Sequence, residues 1–269
     1  MKDYLQRIIN KNSSAQNNLN KIREYLQENF LYILYKKKFY TDLVFCGGTA
    51  LRFLYKLKRF SEDLDFSLSI HAKNFDFLSL LKTVKNELIA SGYNVEIKYS
   101  SAKNVNNAFL RFPKLLFEYN LSPHKEEKLS IKVEIDTNPP AGGQEEVSVY
   151  NGSYMFYLNH YNLESLFAGK IHALLSRKYT KGRDWYDLLW YRTKFKELEP
   201  NFVLLNAALE QTHPKHPEIN KNNWKKEIIK VVENLDVKKI KNDVYRFLET
   251  PEEQELLTKE SFFTILIEN

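Results

Sequence analysis

Residues 45–66, FCGGTALRFLYKLKRFSEDLDF, constrain the fold of this chain more than any other stretch. They begin with the end of a short apolar run, which predicts a buried strand, and the run stops at Gly47-Gly48. A diglycine turn can adopt φ > 0, and it leaves its backbone N–H groups open to a bound anion. Thr49 then caps a predicted helix, whose first N–H groups and dipole favour a phosphate group. The stretch therefore predicts a strand, a phosphate-binding turn and a helix.

Two aspartates follow that helix in the sequence SEDLDF. On an extended strand Asp63 and Asp65 lie on one face, while Leu64 and Phe66 point to the core. Two adjacent carboxylates repel each other unless a cation lies between them. Mg²⁺, which prefers hard oxygen ligands and retains water, is the predicted cation, with Mn²⁺ as the alternative. A junction with two surface aspartates is the opposing interpretation, and the number of matching features around the pair disfavours it.

A second acidic strand is predicted at residues 130–136, SIKVEID. Alternation places its apolar and polar side chains on opposite faces: Ile131, Val133 and Ile135 against Lys132, Glu134 and Asp136. A third carboxylate facing the aspartate pair would complete a two-metal site, because it can hold a second ion or take a proton from an attacking hydroxyl. Taken alone, SIKVEID is typical of an ordinary amphipathic strand. Beside Asp63 and Asp65 we favour the functional interpretation.

Composition limits the class of protein. The chain has 269 residues with 43% hydrophobic and 14% aromatic content, enough for one large or two modest domains and too apolar for a disordered protein. Its net charge of +6 is compatible with a polyanionic partner. One cysteine, Cys46, excludes a disulfide framework and a cysteine-based zinc site. Because the chain shows neither a secretion signal nor an apolar run of about 20 residues, we expect a cytoplasmic protein with no membrane partner.

Strand patterns end near residue 158 and helical patterns follow, so we predict an α+β fold with two domains. Residues 1–158 would form a sheet flanked by helices, and residues 159–269 a helical domain. The strongest helical pattern covers residues 161–177 and places Lys170 beside an apolar stripe, and a second helix opens near Arg183. Four basic residues at this junction predict either a seat for an RNA backbone or a solvated loop: Arg177, Lys178, Lys181 and Arg183.

Two groups of motifs resemble those of one protein family. GGTAL followed by RFSEDLDF, and later a helical lysine followed by Arg-Asp-x-x-Asp on the next helix, resemble the AbiEii/AbiGii family of nucleotidyltransferase-like toxins. This family occurs in abortive-infection and type IV toxin–antitoxin systems. The resemblance covers residues 44–190 and implies a nucleotidyltransferase-type mixed sheet for the first domain. One departure is Thr49, since the superfamily usually has serine after the second glycine, but threonine keeps the hydroxyl.

The resemblance also implies roles for individual residues. Glu134 matches the third acidic position of the superfamily, with Asp136 as the fallback, and Asp187 is the alternative to Asp184 as a catalytic or site-ordering carboxylate. The implied catalytic residues are Asp63, Asp65, Glu134, Lys170 and Asp184, and the implied metal ligands are Asp63, Asp65 and Glu134. The implied nucleotide-binding residues are Gly47, Gly48, Thr49, Arg59, Ser61, Lys170 and Asp187. As ordinary helix residues, Lys170 would instead snorkel to water and the two aspartates would serve the helix dipole or a surface ion pair.

The function implied by the family is magnesium-dependent transfer of a nucleoside monophosphate from an NTP to an acceptor hydroxyl. An NTP would lie between the diglycine turn and the helical half, and Lys170 would meet the charge of the leaving pyrophosphate. The family also implies an RNA acceptor, in particular the 3′ end of tRNA, and a toxin with a cognate antitoxin. Two alternatives stay open: transfer to a protein hydroxyl, and a catalytically silent nucleotide-binding module.

Overall fold

The structure, a computed structural model, describes residues 2–101 and 104–267. Its fold is α+β, which confirms the predicted class. The chain divides into two compact units. Unit 1 comprises Met1–Tyr55, Phe60–Asn138 and Glu145–His160, and unit 2 comprises Lys56–Arg59, Pro139–Gln144 and Tyr161–Asn269. The predicted domains, 1–158 and 159–269, remain a prediction, because compactness alone does not show that either part folds by itself.

A mixed sheet of seven strands runs through unit 1. Its strands are β1 (Leu43–Cys46), β2 (Asp63–Leu68), β3 (Glu96–Ser101), β4 (Val105–Phe112), β5 (Leu129–Asp136), β6 (Glu145–Asn151) and β7 (Met155–Tyr161). Their order across the sheet is β3-β4-β5-β2-β1-β7-β6. β2 pairs with β5, and β1 with β7, in parallel, whereas β1–β2, β3–β4 and β4–β5 are antiparallel pairs. The mixed sheet is therefore as the family resemblance implied.

The remaining elements of the described residues are helices. The α-helices are α1 (Lys2–Ile8), α2 (Ala15–Lys36), α3 (Gly47–Tyr55), α4 (Phe77–Ala90), α5 (Leu115–Glu118), α6 (Leu163–Ser176), α7 (Gly182–Lys194), α8 (Phe202–Thr212), α9 (Trp224–Glu233), α10 (Val237–Val244) and α11 (Lys259–Ile267). Short 3₁₀ helices cover Phe39–Thr41, Tyr245–Phe247 and Pro251–Leu256. Within the described ranges, no helix combines the length and apolar character needed to cross a membrane.

Strand alternation divides β2 and β5 into a core face and a half-buried polar face. In β5 every second residue is buried, beginning with Leu129, and the polar residues between them are half-buried. In β2 Leu64 and Phe66 are buried, while the aspartates beside them are half-buried. The two faces predicted for SIKVEID are thus confirmed, and burial of the apolar face orients the polar one.

The helices of unit 2 pack through aromatic side chains. α6 and α7 begin within two residues of their predicted starts, and the Asn162 side chain caps α6 by accepting the Ser165 N–H at 2.9 Å. Phe167 of α6 stacks on Tyr191 of α7, with ring centroids 4.4 Å apart, and meets Trp224 of α9 edge-on at 5.6 Å. These contacts fix the relative positions of the helices that carry the candidate residues of unit 2.

One glycine permits close packing of α7 on α10. Gly182 is the first residue of α7 and lies against the backbone carbonyl of Ile240, where an added Cβ would overlap the oxygen. Gly169, inside α6, has no neighbouring atom within 4 Å of the position of a Cβ. Gly182 therefore has no room for a Cβ atom, whereas Gly169 has.

We expect Gly182→Ala to lower the free energy of unfolding by about 1–3 kcal/mol, because a backbone carbonyl cannot move aside as a flexible side chain does. Gly169→Ala is the matched control and should raise stability by about 0.5–1 kcal/mol, since alanine is the better helix former. Urea unfolding of both variants measures the difference. Equal stability of the two variants would contradict the packing described for α7 and α10.

Candidate active site

The predicted diglycine turn joins β1 to α3 in unit 1. β1 ends at Cys46, and α3 begins at Gly47, whose φ of +75° lies in the left-handed region. Antiparallel pairing sets Cys46 opposite Asp65 of β2, so the turn lies beside that aspartate. A Cβ on Gly47 would overlap the Asp65 carboxylate. Both the backbone conformation and the close approach therefore require glycine at this position.

Thr49 has a structural contact that the sequence did not predict. It lies in the first turn of α3, is completely buried, and donates its hydroxyl hydrogen to the backbone carbonyl of Asp63. The prediction that Thr49 caps the helix is wrong, because the helix already starts at Gly47. The hydroxyl instead ties α3 to the first residue of β2, and the contact of Thr49 with a nucleotide stays a prediction.

The parallel pairing of β2 with β5 brings the predicted carboxylates together. Asp65 is in register with Glu134, and Asp63 is in register with Lys132. All four side chains lie on the half-buried face of the sheet. We call Asp63, Asp65 and Glu134 the acidic row. Two adjacent strands therefore carry three carboxylates on one face, beside the Gly47 turn.

Asp136, the fallback for the third acidic position, lies one step further along β5. It is in register with Ser67 of β2, and its carboxylate accepts the N–H of Asn138 at 2.9 Å. Burial raises the pKa of Asp136, and the hydrogen bond from Asn138 opposes that rise only in part. Of the two acidic residues, Glu134 is the one in register with Asp65.

Lys132 supplies positive charge on the same face. Its ammonium nitrogen lies 2.8 Å from Oε2 of Glu134, and both side chains are about one-third exposed. Sequence reasoning placed Lys132 on this face but gave it no role. The signal was its spacing, since residues two apart on a strand point to the same side and can form an ion pair.

The acidic row fits a hard divalent cation by its chemistry. All of its donors are carboxylate oxygens, which Mg²⁺ prefers, and they lie on a half-buried face with no thiolate or imidazole in the row. As the side chains stand in the described part of the chain, no three His, Cys, Asp or Glu residues are gathered closely enough to hold a metal ion. Lys132 pairs with Oε2 of Glu134, so its ammonium competes with a metal ion for this carboxylate.

Unit 2 contains a second charged group, which we call the buried ion cluster although Arg177, at its edge, is exposed: Arg59, Lys170, Arg177, Asp184 and Asp187. The Lys170 ammonium lies 3.1 Å from Oδ1 of Asp184 and 2.7 Å from Oδ2 of Asp187. Arg59 binds Asp187 with both prongs of its guanidinium, Nε to Oδ1 and Nη2 to Oδ2, at 2.6 Å each. Arg177 reaches Oδ2 of Asp184 at 3.0 Å. The two aspartates are three residues apart on α7, which puts them on one helix face toward Lys170 of α6.

The buried ion cluster keeps its members charged. Burial by itself lowers the pKa of Lys170, but the attraction of Asp187 and Asp184 outweighs it and raises that pKa above its ordinary value. Burial likewise opposes the charge of Arg59, whose pKa is nevertheless raised by Asp187. For Asp184 burial raises the pKa, and Lys170 and Arg177 together bring it below the ordinary value. Lys170 is therefore an ammonium at neutral pH, as binding of phosphate requires.

The structure thus places the predicted residues in two groups. Unit 1 holds the acidic row and the glycine turn, and unit 2 holds Lys170 with both candidate aspartates. Arg59 pairs with Asp187, which lies 128 residues away in the sequence. The backbone carbonyl of Ser61 accepts a hydrogen bond from the side-chain amide of Gln27 at 3.2 Å. The nucleotide contacts of Arg59 and Ser61 stay predictions. Sequence reasoning missed the pairing of Arg177 with Asp184, for which the sequence carries no local signal.

Two solved structures share this fold. JHP933 from Helicobacter pylori is 21% identical to this chain, with a TM-score of 0.56 over 93% of this chain and 92% of the other. A candidate nucleotidyltransferase, also from H. pylori, is 22% identical, with a TM-score of 0.57 over 91% and 89% of the two chains. No curated protein sequence matches the chain significantly. These two chains therefore have the same overall fold as this one.

The family follows from the sequence match. The model of the nucleotidyl transferase AbiEii toxin family, of type IV toxin–antitoxin systems, matches residues 29–264. This chain belongs to that family, and it is a nucleotidyltransferase. The resemblance carried by the two groups of motifs is confirmed, and membership of a type IV system implies a cognate antitoxin.

We expect Asp187→Asn to lower the free energy of unfolding by about 3–5 kcal/mol, because Arg59 and Lys170 would keep buried charges with one carboxylate fewer. Glu255→Gln is the matched control, since it removes a similar pairing with Lys241 from an exposed carboxylate, and it should cost at most about 1 kcal/mol. Chemical denaturation at neutral pH compares the two. An Asp187→Asn variant as stable as Glu255→Gln would show that the buried ion cluster does not stabilise unit 2.

Proposed function

We propose that this nucleotidyltransferase moves a nucleoside monophosphate from an NTP to a hydroxyl group of RNA, in particular the 3′ end of tRNA, with Mg²⁺ as its ion. The observation that carries the proposal is the register of Glu134 with Asp65, next to the Gly47 turn. Such an arrangement offers ligands for a divalent cation, a proton acceptor, and backbone N–H donors for phosphate.

The acidic row would hold Mg²⁺, which when bound acts as a Lewis acid on phosphate oxygens and offsets charge on the leaving group. Glu134 takes the proton of the acceptor hydroxyl as the hydroxyl oxygen attacks the α-phosphorus. A bond forms between that oxygen and the α-phosphorus, and the bond from the α-phosphorus to the bridging oxygen breaks. Pyrophosphate leaves with the bonding electron pair.

Lys170 of unit 2 supplies a fixed positive charge that suits a phosphate group of the nucleotide. Asp184 and Asp187 hold its ammonium at 3.1 and 2.7 Å, so its position is set before substrate arrives. Arg59 carries the second charge that Asp187 compensates, which leaves the buried ion cluster with three cations and two carboxylates. That excess of one positive charge favours an anionic substrate.

RNA is the acceptor that the charge distribution favours. The chain carries a net charge of +6, and the junction of α6 and α7 presents basic side chains, of which Arg177 and Lys178 are exposed. A phosphodiester backbone gains from such charge, whereas a protein hydroxyl does not.

Incubation of the protein with Mg²⁺, each labelled NTP and total RNA should label RNA, while a protein lysate treated in the same way stays unlabelled. Removal of the divalent ion with a chelator should abolish the labelling, and Mn²⁺ should restore it, since both ions accept carboxylate oxygens. Label on protein alone would contradict the RNA acceptor. If the protein binds NTP without cleaving it and neither RNA nor protein is labelled, nucleotidyl transfer to both kinds of acceptor is contradicted.

The same assay tests the third carboxylate with a matched pair of variants. Glu134→Gln should lower the rate by about 10²–10⁴-fold, because an amide cannot accept the proton. Asp136→Asn, a charge removal two residues away on the same face, should keep most of the activity. If Asp136→Asn lowers the transfer rate more than Glu134→Gln does, Asp136 and not Glu134 is the third carboxylate.

A further inference from the structure

The loop between α6 and α7, RKYTK at residues 177–181, borders a small cavity whose charged lining has an excess of positive charge. The charged residues that line the cavity are Arg177, Lys178, Lys181 and Asp184. Asp184 is already compensated by Lys170 and Arg177. A larger cavity of unit 2, about 720 Å³, is lined by two lysines and two glutamates and has no such excess. The small cavity is therefore the one that attracts an anion.

Lys181 is a partly buried cation of this loop with other cations around it. Burial lowers the pKa of Lys181, and repulsion by Arg183, Arg177 and Lys170 lowers it further, against the attraction of Asp184. A bound anion would relieve that repulsion, because its charge lies among cations that outnumber the carboxylates. The geometry and the charge thus favour the same kind of ligand.

The size of the cavity limits what enters it. Its volume is about 90 Å³. Pockets that enclose a whole small molecule have about 300–1,000 Å³, so this one admits a single anionic group of a larger ligand. The rest of that ligand must lie outside, over the rim of the loop.

Tyr179 provides an apolar surface at that rim. Its side chain is 66% exposed, and its hydroxyl accepts a hydrogen bond from Nη1 of Arg177 at 3.0 Å. The contact fixes the ring beside the cations, with Arg177 held in turn by Asp184. An exposed aromatic ring next to a phosphate-sized basic cavity is the combination by which proteins bind single-stranded nucleic acid: the cavity takes a backbone phosphate and the ring stacks on a base.

We propose that the 177–181 loop binds one backbone phosphate of the acceptor RNA and stacks the neighbouring base on Tyr179. The assignment of the ligand as acceptor rests on the proposed function. Asp184 belongs both to this cavity and to the buried ion cluster, so RNA held here lies near Lys170.

Two readouts test this proposal: fluorescence anisotropy with a labelled single-stranded RNA, and the KM values for RNA and NTP in the transfer assay. Tyr179→Ala should weaken RNA binding by about tenfold, because stacking of one base contributes about 1–3 kcal/mol. Tyr179→Phe, which keeps the ring and loses the hydrogen bond from Arg177, should lose much less affinity than Tyr179→Ala. Lys178→Glu should weaken RNA binding. It should also lower the salt dependence of the RNA affinity by the amount expected for the loss of about one phosphate contact. Lys226→Glu, an equal charge change at an exposed position of α9, should do neither.

In the transfer assay the two loop variants, Tyr179→Ala and Lys178→Glu, should raise KM for RNA and leave KM for NTP unchanged. If RNA binding by both variants matches that of Lys226→Glu, the loop proposal is wrong. A rise in KM for NTP alone would make the cavity a triphosphate site and would also overturn it. If the wild type labels no RNA but the loop variants still lose RNA affinity, the loop proposal holds and the proposed acceptor fails. Circular dichroism and the thermal midpoint confirm that each variant is folded.

Discussion

The parallel pairing of β2 with β5 is the constraint on which the candidate site depends. Burial of Leu64 and Phe66 on one strand, and of Val133 and Ile135 on the other, fixes which side chains face the core. Because the side-chain period of a strand is two, a slip of one residue would bury the carboxylates and expose the apolar face. Hydrophobic burial therefore sets the register, and the register sets Glu134 beside Asp65.

The buried ion cluster keeps Lys170 charged in a partly buried position. A lysine that meets phosphate must stay charged, and partial exclusion from water works against its charge. Asp184 and Asp187 maintain the charge of Lys170, and Arg59 shares Asp187 with it. Arg59 belongs to the segment Lys56–Arg59, which lies in unit 2 although the sequence on either side of it belongs to unit 1. One short stretch of sequence thus leads to the acidic row and also supplies a charge to the cluster.

Local patterns in the sequence were sufficient for the elements that carry the site. Alternation in SIKVEID predicted both faces of β5, and periodicity predicted α6 and α7. The motifs of residues 44–190 identified the family, which the match over residues 29–264 confirms. The cap role of Thr49 is wrong because α3 already starts at Gly47, and sequence alone does not fix the first residue of a helix. The partner of Arg59 lies 128 residues away, so it follows from tertiary packing and from no local pattern.

We propose that carboxylates from two adjacent strands gather a divalent cation beside the glycine turn. Anomalous diffraction from crystals grown with Mn²⁺ and a non-hydrolysable NTP tests it most directly. We expect an anomalous peak with oxygens of both Asp65 and Glu134 within about 2.5 Å, and with Glu134 released from Lys132. An ordered nucleotide whose metal ion lies away from both carboxylates, with Glu134 still paired to Lys132, would contradict it.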